Sequence, residues 1–511
     1  MRIAVVTPYH DESPQDLARC VESVRRQRAA ATHILVADGE AREWVGEASD
    51  LRHIILDTAH HDYGGTARLT GFLTAVSEGF DAVAFLDADH RFLPGHLAAC
   101  RELAAADPAA GLIIARRRML RTDGTELPVT PEELDGNLVD PSCQVVLAPG
   151  FAAIAAWGTA RKAVTRDEAG QAFIAGYQGP AVRALSMKEI TVESVCRAES
   201  VYRFLAEEPP EDHEPVHPQP IWLLGDGRSG TTWLFELLNH HYRYRAYFEP
   251  FNPQPSKQVA GIGLHHYLSP NDEMPELEKR LSDIFSGRFN EERKPTYHSP
   301  FYERVLVKDI YALLLAYWAH LRFPELIFIL IVRNPFSVAA SKLNLQHWFP
   351  ESSLDVLLRQ ERLVEDHLQP HYRFLKSVAR NNDFVLDQIA IWAVVHYVIE
   401  RQFSTARPGR LFSVSYESLR SNPTNALSKI LSALSRPGTR SAYTPSQLVL
   451  ERPSGTTRPT FVPKQNQVIP VNRHEKWQYM LSRRQIRDAY ELLERFGLQV
   501  PLSEFNAVVS N

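Results

Sequence analysis

The chain of 511 residues contains few cysteines, little excess charge and no long uninterrupted apolar run. Its four cysteines are widely separated and show no Cys-x-x-Cys spacing, which excludes a disulfide framework or a typical zinc site and predicts buried thiols in a reducing compartment. The net charge of −5 argues against a general nucleic-acid-binding surface. The most apolar later stretch, 311–332, contains His, Arg, Pro and Glu residues, so it does not predict a membrane-spanning helix.

The first residues, MRIAVVTPYHDE, contain no signal-peptide core, which favours a cytoplasmic protein, free or peripheral at the inner face of the membrane. A hydrophobic content of 44% and a charged content of 23% are typical of a globular chain. Residues 206–219, AEEPPEDHEPVHPQ, are acidic, rich in proline and without a hydrophobic period. They predict a semi-rigid linker between a domain at 1–205 and a domain at 220–511.

The strongest motif follows this linker. The apolar run Ile221–Leu224 precedes the loop 225–232, GDGRSGTT, and apolar residues then recur at helical spacing. This pattern predicts a strand, a glycine loop and a helix whose first N–H groups bind an anion. Position 231 is Thr where the P-loop of nucleotide hydrolases has Lys, so the loop suits a nucleotide without a γ-phosphate. The candidate anion ligands are Arg228, Ser229, Gly230, Thr231 and Thr232.

A second anion-binding signal lies downstream. The apolar run Leu326–Val332 predicts a buried parallel strand. Arg333 lies at its carboxyl end, Pro335 occupies a favoured first position of a helix, and Ser341 lies about two turns into that helix. Arg333 and Ser341 could therefore hold one phosphate from two sides. Both motifs lie at carboxyl ends of strands, where open α/β sheets bind ligands.

Together these motifs resemble the sulfotransferases that use 3′-phosphoadenosine 5′-phosphosulfate, and GRSGTTWL is closest to the carbohydrate-acting branch. The resemblance implies that the loop binds the phosphosulfate, that Arg333 and Ser341 bind the 3′-phosphate, and that adenosine 3′,5′-bisphosphate is the product. It implies a charge-stabilising role for Lys308, at the end of RVLVKDI. Cytosolic sulfotransferases place a catalytic His two positions after this Lys, where this chain has Ile310, which disfavours a phenol or steroid acceptor.

The acceptor side of this site is predicted from the residues that follow the phosphate loop. Glu249 lies in YFEP, which resembles the Phe-Glu-Pro element of carbohydrate sulfotransferases, and we expect it to be the general base. We expect residues 252–300 to form part of the acceptor rim, with His265 and His266 as alternative polar contacts. The family closes a basic loop over the cofactor, and here the candidates are Arg458, Lys464 and Arg473.

The first 205 residues show strands that alternate with helices. The predicted strands are Ile3–Val6, His33–Ala37, Ala82–Leu86 and Gly111–Ala115. Such alternation predicts an α/β fold with a parallel sheet. Asp38 follows the second strand, and Asp87-Ala-Asp89-His90 follows the third.

This half resembles the family 2 glycosyltransferases of the GT-A fold in VTPYH, LVADGE and GGTARLTGFLTAVSEGFDAVAFLDADH. The resemblance implies that Asp38 binds the base of a UDP- or GDP-sugar. Asp87 and Asp89 would form the Asp-x-Asp unit at the nucleotide sugar, where two carboxylates hold Mg²⁺ or Mn²⁺. His90 is either a third ligand or, as we favour, a loop histidine. We propose Asp167 as the base of an inverting transfer, although a helix N-cap is an equally good interpretation.

The favoured hypothesis is a bifunctional α/β enzyme, a glycosyltransferase fused to a sulfotransferase. The product of the first site would be the substrate of the second, giving a sulfated glycan or glycolipid. Two alternatives stay open. The first domain could be a non-catalytic glycan-docking module, because His10 stands where the family usually has Asn. The second could be a small-molecule kinase, which the missing lysine of the phosphate loop disfavours.

Overall fold

The computed structural model describes residues 1–60, 64–128, 140–152, 183–239, 244–252, 262–289, 301–343, 354–404, 410–434 and 477–499. The chain divides into two compact units, and the main division falls between Val216 and His217. Of the later described residues, Phe301 and Tyr302 also belong to the first unit. Within the described ranges, none of the helices combines the length and the apolar character needed to cross a bilayer. All four cysteines are buried thiols and not disulfides, as predicted.

The first unit consists of strands that are largely apolar and of helices that pack on them. Its strands are β1 (Ile3–Tyr9), β2 (Thr32–Asp38), β3 (Leu51–Leu56), β4 (Ala82–Phe85), β5 (His90–Phe92), β6 (Ala110–Leu120), β7 (Gln144–Leu147) and β8 (Arg183–Val195). Its helices are α1 (Pro14–Arg25), α2 (Glu43–Glu47), α3 (Gly65–Ser77), α4 (His96–Ala106) and α5 (Glu199–Leu205).

The sheet of the first unit has the order β3-β2-β1-β4-β7-β6-β8-β5. Strands β1 to β4 are parallel, as the sequence predicts, and their apolar side chains are buried beneath α1 and α3. The rest of the sheet is mixed, because β7 runs antiparallel to both β4 and β6, and β5 runs antiparallel to β8. A helical crossover is needed only between parallel neighbours, so these strands can reverse through loops.

The predicted linker is attached to the first unit. Glu207 accepts hydrogen bonds from the guanidinium of Arg121, with Nη2–Oε1 at 2.9 Å. The backbone N–H of Glu214 donates to the carbonyl of Arg197 at 2.8 Å. The N–H of Val216 donates to Oε2 of Glu199 at 2.7 Å. This segment, rich in proline and acidic residues, is therefore held to the first unit by hydrogen bonds as far as Val216.

The second unit is a parallel α/β layer structure. Its strands are β9 (Ile221–Leu224), β10 (Tyr244–Phe248), β11 (Arg304–Asp309), β12 (Ile327–Val332) and β13 (Leu411–Ser415). Its helices are α6 (Thr231–Leu238), α7 (Pro275–Phe285), α8 (Ala316–Arg322), α9 (Pro335–Leu343), α10 (Leu354–Leu358), α11 (Glu361–Leu363), α12 (Tyr372–Arg380), α13 (Phe384–Phe403), α14 (Tyr416–Ser421), α15 (Pro423–Leu434), α16 (Trp477–Met480) and α17 (Arg483–Arg495).

The second sheet has the order β10-β11-β9-β12-β13, and every neighbouring pair is parallel. This confirms the predicted parallel sheet. Strand β9 lies in its centre, and the chain moves to opposite sides of β9 through β10 and β12, which creates a crevice at the carboxyl ends. Residues 354–380 do not form one continuous helix, because a π-type turn at Val364–Leu368 and a 3-10 turn at Gln369–His371 interrupt it. Pro370 lacks the N–H that a continuous helix needs there.

Candidate functional site

The glycines of the phosphate loop are required by close contacts. A Cβ at Gly225 would lie 2.7 Å from Cγ2 of Ile331, and a Cβ at Gly230 would lie 2.4 Å from the ring of Tyr416. Gly230 also has a φ of +92°, which only glycine adopts without strain. It precedes α6, and no side chain caps this end of the helix. The first N–H groups of α6 are therefore positioned to bind an anion.

The structure brings the two predicted anion-binding motifs together. Nε of Arg228 donates a hydrogen bond to Oγ of Ser341 at 3.1 Å. Nη1 of Arg333 donates to the backbone carbonyl of Arg228 at 2.7 Å. The guanidinium of Arg333 also lies over the ring of Tyr416, with Cζ 4.4 Å from the ring centre. Arg228, Arg333 and Ser341 thus line one crevice.

The electrostatics of this crevice favour an anion. Burial and the neighbouring Arg333 lower the pKa of Arg228, and burial lowers the pKa of Arg333. Nε of Arg333 and Oγ of Ser229 are buried, and neither has a hydrogen-bond partner among the described residues. Two half-buried cations beside these buried donors fit a phosphate, which would relieve the charge repulsion and satisfy the donors.

The start of α9 is fixed by its own side chains. Oδ1 of Asn334 accepts hydrogen bonds from the backbone N–H groups of Phe336 and Ser337 at 3.0 and 3.3 Å. The N–H of Asn334 donates to Oε1 of Glu417 at 3.0 Å. This cap holds the helix that carries Ser341 against the end of β13.

A second group of residues lies at the ends of β10 and β11. Lys308 forms an ion pair with Glu249 and lies 4.1 Å above the ring of Phe248. Glu249 has a φ of +52°, a backbone conformation that is unfavourable for residues other than glycine. Its backbone N–H donates to the carbonyl of Lys308 at 2.6 Å. A carboxylate that can accept a proton is thus held beside an ammonium group that can stabilise an anion.

Asp309 supports this pair and was not predicted from the sequence. Its carboxylate accepts hydrogen bonds from the backbone N–H groups of Phe251, Tyr311 and Ala312 at 3.0, 2.6 and 3.0 Å. Burial nevertheless raises its pKa to about 7. Asp309 thereby connects the loop after β11 to the turn that contains Glu249. An acidic residue next to Lys308 at a strand end was the signal available in the sequence.

The histidines expected at the acceptor rim differ from each other. His265 is buried, and burial lowers its pKa to about 4, so the expectation of a rim contact is wrong for this residue. Its backbone carbonyl accepts a hydrogen bond from the side-chain amide of Gln360 at 2.9 Å, and its N–H donates to the carbonyl of Tyr311. His266 is half-buried, and burial lowers its pKa.

In the first unit, the candidate residues lie at the carboxyl ends of β2 and β4. The side chain of Asp38 is almost fully buried, and its Oδ1 accepts hydrogen bonds from the N–H and Nδ1 of His60 at 2.9 and 3.0 Å. Asp87 accepts hydrogen bonds from the guanidinium of Arg68, with Nε–Oδ1 at 3.2 Å. Asp89 is more open, with a side chain that is 42% exposed.

The structure groups Asp87 with His90 and Asp140, whose ligand atoms lie within 4.8 Å of one another. Asp140 was not predicted as a site residue. Burial opposes its ionisation, but the positive charge of the buried Arg117 holds its pKa at about 2. Nη1 of Arg117 lies 2.7 Å from Oδ2 of Asp140.

Both ring nitrogens of His90 already have partners. Nε2 lies 3.0 Å from Nη1 of Arg117, and Nδ1 lies 2.8 Å from Oγ of Ser142. Because arginine only donates, Nε2 must accept, and the neutral ring carries its proton on Nδ1. Asp89, the second residue of the predicted metal pair, does not belong to this group. Carboxylate oxygens such as those of Asp87 and Asp140 are ligands that suit Mg²⁺ or Mn²⁺, whereas His90 would have to release a partner before it bound a metal.

Four further candidates, Asp167, Arg458, Lys464 and Arg473, lie outside the described residues. Arg68, Arg117 and Asp140 were missed as contributors to the first site. Arg68 lies inside the phrase ARLTGF that carries the family resemblance, which was the available signal. Arg117 and Asp140 are joined to the site only by the pairing of β6 and β7, which the sequence does not reveal.

Comparison with known families agrees with this division of the chain. Residues 4–134 match the family model described as Glycosyl transferase family 2, and residues 220–440 match the model described as Sulfotransferase family. The class is therefore that of a group transferase with two domains. The two matches support a family 2 glycosyl transferase domain fused to a sulfotransferase-family domain, as the sequence predicted.

Solved structures resemble only part of the chain. S. aureus TarS 1–349 is 14% identical over 40% of this chain and 63% of that chain, with a TM-score of 0.30. Its complexes with UDP and UDP-GlcNAc are 13% and 12% identical over 39% of this chain, cover 62% and 59% of those chains, and also have TM-scores of 0.30. This chain thus spans less than two thirds of the length of these structures. A search of curated proteins finds no match.

Proposed function

We propose that the chain is a bifunctional enzyme. The first unit transfers a sugar, with inversion, from a nucleotide sugar to an acceptor. The second unit transfers a sulfuryl group from 3′-phosphoadenosine 5′-phosphosulfate to a hydroxyl of a glycan or glycolipid. The observation that supports this most strongly is the meeting of Arg228, Arg333 and Ser341 beside buried donors that have no partner in the described part of the chain.

Each anion ligand of the second unit would have a separate role. The loop amides, Ser229, Thr231 and Thr232 would bind the 5′-phosphosulfate, where the close approach depends on Gly230. Arg333 and Ser341 would bind the 3′-phosphate, and Arg228 lies between the two groups because it contacts both residues. A nucleotide without a γ-phosphate matches a loop that has Thr231 in place of lysine.

The reacting groups would be Glu249 and Lys308. Glu249 takes the proton of the acceptor hydroxyl while the oxygen of that hydroxyl forms a bond to sulfur. The bond from sulfur to the bridging 5′-phosphate oxygen breaks, and adenosine 3′,5′-bisphosphate leaves. Protonation of Glu249 weakens its attraction for Lys308, so the ammonium becomes available to the leaving phosphate. The ion pair in the structure therefore supports a mechanism in which proton transfer to Glu249 frees Lys308 to stabilise the leaving phosphate.

In the first unit, Asp38 would bind the nucleotide base, and Asp87 and Asp89 would face the diphosphate. A divalent cation bound there would neutralise the leaving diphosphate. Asp167 is the proposed base that takes the proton of the acceptor. Arg68 and Arg117 hold the carboxylates of Asp87 and Asp140 in place before substrate binds.

Titration calorimetry tests the second site directly. We expect adenosine 3′,5′-bisphosphate to bind at least about tenfold more tightly than ATP. Arg333→Gln should abolish this preference, whereas Arg484→Gln, a matched change at an exposed arginine of α17, should retain it. A preference of the wild type for ATP would refute the assignment and favour the kinase alternative.

Mass spectrometry tests the two activities and their order. A glycan panel is supplied with both activated donors, and products are examined for a gain of one sulfuryl group on a newly extended chain. We expect extended and sulfated products from the full chain. Sulfation of unextended glycans alone would refute the proposed coupling and favour a docking role for the first unit.

A further inference from the structure

A buried ion pair joins the same two segments that carry the anion ligands. Nζ of Lys342 lies 2.6 and 2.8 Å from the two carboxylate oxygens of Asp226. The side chains of Lys342 and Asp226 are only 1% and 4% exposed. Asp226 precedes Arg228 by two residues, and Lys342 directly follows Ser341. The ion pair therefore runs alongside the hydrogen bond between Arg228 and Ser341.

A carboxylate is an unexpected residue in a loop that binds anions. The N–H of Ser229 donates to the carbonyl of Asp226 at 3.0 Å, so the loop turns back over this residue. An uncompensated charge on Asp226 would repel a phosphate held by the neighbouring residues, and the repulsion would be strong because the site is buried. Lys342 is buried beside Asp226, so its positive charge neutralises the charge of this carboxylate.

The two histidines near this ion pair carry no charge at neutral pH. His265 and His396 are both buried, and both sense the charges of Asp226 and Lys342. Burial lowers the pKa of each histidine to about 4, so both rings are neutral at pH 7. The balance of charge beneath the loop therefore depends on the ion pair.

We propose that Lys342 is a positioning residue for the second site: it masks the charge of Asp226, and the phosphate loop accepts a nucleoside bisphosphate only because of this masking. This proposal rests on the proposed function of the second unit. Lys342 acts here through Asp226 and does not contact the substrate.

The test compares wild type, Lys342→Met, Asp226→Asn and the double variant that carries both changes. Calorimetry measures adenosine 3′,5′-bisphosphate binding at pH 8 and pH 6, and thermal unfolding is recorded for each protein. At pH 8 we expect Lys342→Met to weaken binding by about tenfold or more. The double variant should bind within about threefold of wild type, because it has no unmasked carboxylate.

The pH dependence separates this role from a purely structural one. In Lys342→Met the isolated buried carboxylate would take up a proton on acidification, so its affinity relative to wild type should recover at pH 6. The double variant and Asp226→Asn should show no such recovery. A structural role predicts instead that affinity follows thermal stability in every variant at both pH values.

Two results would overturn the inference. Equal binding by wild type and Lys342→Met at pH 8 would show that the charge of Asp226 needs no masking. An equal loss in Asp226→Asn and Lys342→Met, without recovery at pH 6, would assign the pair to stability alone. If wild type itself does not bind the bisphosphate, the proposed function fails, and this inference fails with it.

Discussion

Four glycine-to-alanine variants of the second unit would separate two kinds of constraint in the phosphate loop. A Cβ at Gly230 meets the ring of Tyr416 at 2.4 Å in a backbone with φ +92°, so it has both a clash and strain. A Cβ at Gly225 has the clash alone, at 2.7 Å from Ile331. Gly497 has φ +67° but open space around its Cβ, whereas Gly263 has open space and no positive φ.

The expected losses follow from these geometries. A left-handed alanine costs about 1–2 kcal/mol, and an extra methyl group in a packed site costs about 1–3 kcal/mol. Gly497→Ala should therefore lose about 1 kcal/mol, and Gly225→Ala about 2 kcal/mol. Gly230→Ala should lose about 2–5 kcal/mol, the sum of both effects. Gly263→Ala should be neutral, or more stable by about 0.5 kcal/mol.

Scanning calorimetry of the full chain measures these differences, because a change of 1 kcal/mol shifts the Tm of a domain this large by about 2 °C. The transition of the first unit serves as an internal reference. We also expect Gly230→Ala to weaken binding of the bisphosphate, since the displaced ring of Tyr416 supports Arg333. If Gly230→Ala unfolds at the same temperature as Gly263→Ala, the loop geometry described above is wrong.

Four further predictions concern charge. Arg333→Gln should weaken bisphosphate binding by about a hundredfold, measured by calorimetry, and leave nucleotide-sugar turnover intact. Glu249→Gln should lower the kcat of sulfuryl transfer by about 10²–10⁴, while bisphosphate affinity stays within a few fold; equal loss of both would contradict its role as base. Asp89→Ala should lower Mn²⁺-dependent nucleotide-sugar hydrolysis by at least about tenfold; unchanged hydrolysis would count against a metal at this site. His265 and His396 have pKa values of about 4 in the folded protein, so the unfolded chain binds more protons between pH 6.5 and 4. The free energy of unfolding should therefore fall on acidification by up to about 3 kcal/mol for each histidine. Acid titration followed by circular dichroism measures this change, and a constant stability over that range would contradict the prediction.

Local patterns predicted the elements that carry the candidate residues of the second site. The run Ile221–Leu224 and the glycine loop after it lie on a strand, a turn and a helix because each signal is contained within a few residues. The same holds for Arg333 and Ser341, whose separation is fixed by the helix between them. Parallel strands then bring both motifs to one edge of the sheet, which the sequence could predict from the order of elements.

Contacts between distant residues were beyond the reach of these patterns. The Asp226–Lys342 ion pair joins residues 116 positions apart, and nothing local marks either side chain as buried. Asp140 reaches Asp87 only because β7 enters the first sheet antiparallel to β4. The alternation of strands and helices gave no sign of an antiparallel strand at this place, so this neighbour could not be foreseen.

Strand β11 sets a strict limit on insertions and deletions. Lys308 and Asp309 are consecutive, and successive side chains of a strand point to opposite faces. Loss of a single residue upstream in β11 would move Asp309 into the present position of Lys308 and Lys308 into that of Val307, placing an acid where the ammonium now meets Glu249. Natural variants of this enzyme should therefore change length in the loops around β11 and keep the spacing within it.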